Sequence, residues 1–225
     1  MKTILTAALF CVGLGSAATA ATINFNDFDE GDILGLDADL GGGVIADIAA
    51  IGGVAEAVVF DTDSGTVSTG NDPDLTSPFT NAEDSNDRRA FGNALIVQEN
   101  ATGGPDDVVG GSLIFSFDSL WSFASVFLLD AEVGTSATLF NGTDEVASFT
   151  LDRTNESETG GNPNNNEFTL LGFADAVGDT LRIDFAGSGA LGEFEVSAVP
   201  LPAGFPLLIA GLGAFAWMRR RQQAA

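Results

Sequence analysis

Between Ile23 and Val196, apolar side chains recur at every second position in run after run, and this alternation limits the fold more than any other feature. The runs are Ile23 and Phe25; Leu113, Phe115 and Phe117; Val126 and Leu128; Ala137 and Leu139; Ala147, Phe149 and Leu151; Leu181, Ile183 and Phe185; Phe194 and Val196. A strand turns successive side chains to opposite faces, so such runs, separated by Gly, Asn, Asp and Ser clusters, predict half-buried strands. Residues 57–60 and 94–97 are unbroken apolar runs and predict strands covered on both faces. Asn141-Gly142, between apolar runs at 137–140 and 146–151, predicts a hairpin turn. No stretch of this part carries a long, capped helical pattern. The expectation is an all-β fold: a single antiparallel β-sandwich of jelly-roll type over residues 21 to 197, with a true barrel as the alternative.

Charge narrows the partners. All 32 acids lie between Asp27 and Glu195, where the only bases are Arg88, Arg89, Arg153 and Arg182, giving that region a formal charge of −28. Such a surface repels nucleic acid and anionic lipid, because phosphate binding needs clustered Lys and Arg. It favours multivalent cations or a saline medium that screens self-repulsion. There is no histidine, and the one cysteine, Cys11, lies in a segment expected to be removed. The remaining part therefore has no imidazole base, thiol nucleophile, disulfide or thiolate zinc site.

Both ends carry export signals. Met1-Lys2-Thr3, an apolar run from residue 4 to about 14, and Ser16-Ala17-Ala18-Thr19-Ala20 form a charged start, a core too short to span a bilayer, and a small-residue cleavage site with Ala18 and Ala20 at the alternating positions. Residues 1–20 are read as a signal peptide, a substrate of signal peptidase; a buried apolar helix is the alternative. Phe10 before Cys11 argues against a lipoprotein, whose motif wants a small residue there. At the other end, Val199-Pro200-Leu201-Pro202-Ala203 precedes an apolar stretch over about 204–218 and then Arg219-Arg220-Arg221. With the flanking pentapeptide the stretch is long enough to cross the inner membrane, and the arginines mark its cytoplasmic side. That orientation puts the acidic part outside the cytoplasm, as the signal peptide also does.

The residues from Val199 onward resemble the VPLPA-CTERM form of the PEP-CTERM protein-sorting signal, with the pentapeptide complete. The resemblance implies recognition by an exosortase, a membrane-embedded cysteine protease/transpeptidase-like enzyme. That enzyme would cleave close to the motif and release the protein to the cell surface or the exopolysaccharide matrix. An ordinary single-pass anchor is the alternative. The segments Ala57-Val58-Val59-Phe60-Asp61-Thr62, Leu95-Ile96-Val97-Gln98-Glu99 and Gly110-Gly111-Ser112-Leu113-Ile114-Phe115 also look like a pattern seen in PEP-CTERM-type ectodomains of no established activity.

Acids follow the apolar runs. Asp61-Thr62-Asp63-Ser64-Gly65 closes the run at 57–60, and Gly70-Asn71-Asp72-Pro73-Asp74 comes next. Glu99 closes the second unbroken run, Asp106-Asp107 lies just beyond, and Asp130 and Glu132 follow Leu128-Leu129. Calcium is held by carboxylate, amide and carbonyl oxygens, so Asp61, Asp72, Asp74, Glu99, Asp106 and Asp107 would form a calcium site if their loops share one edge of the fold. A solvated acidic face is the alternative, and the later Glu of an EF-hand loop is missing. Glycoside hydrolysis would need two suitably spaced carboxylates, yet Trp121 is the only Trp or Tyr outside the end segments that could serve as a sugar platform. Arg88-Arg89, after Asp84 and Asp87, reads as local charge pairing on an exposed loop. Together these features predict a non-enzymatic exported protein of the cell surface or biofilm matrix, calcium-stabilised, with no other cofactor. Alternatives are a carbohydrate-binding module of the exopolysaccharide and a secreted glycoside hydrolase.

Overall fold

The alternating runs are strands. In the computed structural model, which describes residues 20–63, 75–101, 104–105, 110–152 and 166–199, the strands in chain order are β1 (Ala20–Asn24), β2 (Ile33–Leu34), β3 (Ala38–Asp39), β4 (Ile45–Ile51), β5 (Ala57–Asp61), β6 (Phe79–Asn81), β7 (Arg88–Arg89), β8 (Asn93–Val97), β9 (Gly111–Leu129), β10 (Ser136–Asn141), β11 (Asp144–Thr150), β12 (Glu167–Phe185) and β13 (Ala190–Ala198). They join one large sheet, and all the pairings are antiparallel except that of β6 with β12. The protein is all-β over these residues.

Two long strands organise the sheet. The first half of β9 pairs with β4, from Ile51↔Ser112 to Ala46↔Phe117, and its second half pairs with β13, from Ala198↔Trp121 to Ala190↔Leu129. β12 runs beside β9 through both halves, with register shifts between Gly172 and Ala176 and between Gly178 and Thr180. Within the first shift Ala174 and Asp175 take φ of 51° and 61°, a conformation that L side chains rarely adopt. Such irregularities bend and twist a strand.

The inward faces of both halves meet in one main core. Leu113, Phe115 and Phe117 from the first half of β9 cluster with Phe123, Val126 and Leu128 from its second half, and with Leu181, Ile183, Phe194 and Val196. Phe115 lies 5.5 Å from Phe194 and Phe117 lies 5.5 Å from Phe123, ring centroid to ring centroid, both edge-on. A second core covers the other face of the sheet, where Val58, Phe60, Ala94, Ile96, Phe127, Leu129, Phe168 and Ala190 are capped by Leu75, Phe79 and Phe91. This explains the unbroken runs. On β5 and β8, Val59, Leu95 and Val97 enter the main core while Val58, Phe60, Ala94 and Ile96 enter the second.

The Asn141-Gly142 hairpin joins β10 to β11 with Asn141 opposite Asp144, and Gly142 has φ 61°, a left-handed turn geometry that favours glycine. At the beginning and end of the sheet, β1 pairs with β13 from Ala20↔Ser197 to Asn24↔Glu193. The chain thus enters and leaves the sheet on adjacent strands. Residues Thr19–Ala198 form one compact unit. The expected signal peptide up to residue 19, Pro200, Leu201, Pro202, Ala203, the apolar stretch 204–218 and Arg219, Arg220 and Arg221 lie outside the described residues. Among the described residues, no helix is long and apolar enough to cross a membrane.

Candidate functional site

Asp61 and Glu99, the two nominated acids among the described residues, do not share one edge. β5 and β8 are antiparallel, with Asp61 opposite Asn93 and Ala57 opposite Val97. Asp61 therefore ends β5 at the end of the pair where β8 begins, while Glu99 follows the opposite end of β8. At a rise of about 3.3 Å per residue, the two carboxylates stand on the order of 20 Å apart, too far for one ion. The expected convergence of Asp61 with Glu99 is corrected accordingly; an apolar run marks a strand and says nothing about which end of its partner its loop reaches. Asp72, Asp74, Asp106 and Asp107 lie outside the described residues. Among the described residues, no three acids group so as to hold a metal ion.

At the Asp61 end, Asp61 accepts a 2.9 Å hydrogen bond from the Asp63 backbone N–H, and the Thr62 hydroxyl donates to the Gly92 carbonyl. Glu30 is a neighbour that its distance along the chain concealed. Its carboxyl is held above the ordinary glutamate value, first by partial burial and then by repulsion from Asp61. The two meet because the turn leading into β2 hydrogen-bonds to β5, with the Gly31 N–H donating to the Val59 carbonyl at 2.8 Å.

At the Glu99 end, Gln98 is buried and its Nε2 donates to the carbonyls of Asn100 (2.8 Å) and Gly104 (3.2 Å), folding the chain back on itself. A cavity of about 160 Å³ opens beside it, lined by Gly31, Ile33, Glu56, Val58, Gln98 and Asn100 among others. This space is smaller than ordinary small-molecule sites.

Arg89 does more than pair with a local acid. Arg89 lies 3.5 Å from Asp87, as the charge pattern predicts, but its guanidinium also stands 5.1 Å from the Phe127 ring centroid and 5.4 Å from that of Phe168. It caps the second core with a cation. Nearby on β13, Glu193 is held above the ordinary glutamate range mainly by burial, with Arg89 lowering and Glu195 raising its pKa. A raised acid contributes stability that is fully present below its unfolded pKa and is lost as pH rises through the folded one. Glu193→Gln should therefore match the wild type near pH 4 and exceed it at pH 7. Because the group is only partly buried and so screened by solvent, the gain is about a few tenths of a kcal/mol. Urea unfolding at the two pH values checks this; a gain that is equal at both, or a loss at pH 7, contradicts it.

Trp121 is 8% exposed and belongs to the main core. It is not a sugar platform, and its Nε1 is buried with no hydrogen-bond partner. The outward-facing polar residues include Arg182, which forms a two-pronged pair with Asp184 (Nε to Oδ1 2.8 Å and to Oδ2 2.9 Å). No family model matches the chain, and no curated protein sequence matches it either.

Proposed function

We propose that this chain is an exported, non-enzymatic protein of the bacterial cell surface or exopolysaccharide matrix, processed by signal peptidase and by an exosortase. The observation that carries the reading is the complete Val199-Pro200-Leu201-Pro202-Ala203 pentapeptide followed by an apolar stretch and Arg219-Arg220-Arg221. It is supported by the formal charge of −28 between Asp27 and Glu195 and by the signal-peptide-like start. For the fold, the finer reading is a sandwich of jelly-roll type. Its support is that Phe194 on β13 packs against Phe115 from the far half of β9, 11 residues from its ladder partner Val126.

Calcium narrows to the Asp61 end. A cation there would relieve the repulsion between Glu30 and Asp61. A calcium-bridged glycan module remains the second reading, and its aromatic support is weakened by the burial of Trp121. Mass spectrometry of the mature protein from surface and medium fractions tests the main reading. A C-terminus within residues 199–203 is expected; a retained Arg219–Arg221 tail in the membrane fraction makes the protein a plain single-pass anchor instead. Calcium titrated to millimolar levels should raise the unfolding midpoint, and Asp61→Asn should abolish the rise. A flat midpoint removes calcium from the reading.

A further inference from the structure

We infer that folding seals the signal-peptide cleavage site, so that the bond between Ala20 and Ala21 is cut only before β1 docks on β13. This rests on the reading of residues 1–20 as a signal peptide. Both residues of that bond stand in the ladder of the folded domain, Ala20 opposite Ser197 and Ala21 opposite Val196. Ala21 also packs against the main core, and a Cβ placed on Gly42 would stand 2.9 Å from its Cβ, so the chain is closely covered there.

A peptidase takes several residues on each side of the scissile bond as an extended segment freed from other partners. To present Ala21 and the residues after it, the folded domain would have to release Ile23, which is 1% exposed and part of the main core. Withdrawing a buried Ile side chain slows cutting by roughly 10- to 100-fold relative to a free chain.

The order of export removes the conflict. β13 is the last of the described strands, so the partner of β1 emerges after all the others, and the cleavage site stays free until nearly the whole domain has crossed. The opposite boundary differs. Ala198 is the final ladder residue, and Val199, the first residue of the sorting pentapeptide, stands outside the ladder and is 36% exposed. Folding therefore closes the N-terminal processing site without enclosing the start of the C-terminal one.

The test uses the full-length precursor in detergent micelles with purified signal peptidase. Three forms are compared: the folded wild type, Phe194→Asp to prevent folding at a residue far from the bond along the chain, and a folded variant with a six-residue flexible spacer, beginning with Ala, inserted between Ala20 and Ala21. The wild type should be cut at least about 10-fold more slowly than either of the others. Equal rates in all three overturn the inference while leaving the signal peptide intact. Failure to cut after Ala20 in the unfolded and spacer forms overturns the signal-peptide reading itself, and the inference with it.

Discussion

Phe194→Ala is expected to lower the stability of the domain by about 3–5 kcal/mol, a large share of what a domain of this size has. Phe194 is fully buried and its ring lies within 5.5 Å of Phe115, 6.3 Å of Phe117 and 6.3 Å of Phe123. Those partners come from both halves of β9, so the cavity left by alanine lies where the two halves meet and neither can relax into it without dragging the other. Urea unfolding measures the effect as a lower midpoint with an unchanged slope. A loss under about 1 kcal/mol would mean the two halves of β9 do not meet through this ring.

The second large effect is local. Phe91→Ala is expected to cost about 3–4 kcal/mol and to open the cover of the second core before the rest unfolds. Phe91 contacts Phe79, Phe127 and Phe168 at 5.9, 5.7 and 5.4 Å, so it joins the β6–β7 cover to β9 and β12. The four arginines between the ends make trypsin a clean probe. Cutting after Arg88 and Arg89, which lie in that cover, should rise at least tenfold in the variant, while Arg182, held in the ladder opposite Ile114 and Thr138, stays protected. Cutting at Arg182 that rises in step would show that cover and sheet open as one unit.

Most of the inward face was legible in the sequence because large apolar side chains alternate with small or polar ones wherever one side of a strand meets the main core. Ile23, Phe25, Phe115, Val126, Leu139, Ile183 and Phe194 all belong to that core. β4 escaped because its pattern is inverted in size: Ala46 and Ile48 face inward, while Ile45 and Ile51 are 42% and 53% exposed. The continuity of β12 escaped because Ala174 and Asp175 interrupt its alternation at a register shift. The convergence of Asp61 with Glu99 was misjudged for a different reason. Alternation fixes a face, but which ends of two strands come together depends on pairing direction, and only the register of β5 against β8 separated Asp61 from Glu99. Glu30 was invisible for the same reason, being brought to Asp61 by hydrogen bonds between segments far apart along the chain.

The place of β13 has a mechanical consequence. It is bonded on one side to β9 from Ala190 to Ala198 and on the other to β1 from Glu193 to Ser197. A pull at Val199 along the strand axis loads these ladders in shear, so their hydrogen bonds resist together instead of parting one after another. A pull at Ala20 loads only the five residue pairs that join β1 to β13. The ladders thus resist a pull at the C-terminal end of the domain better than one at its N-terminal end, where β1 is the strand that strains first.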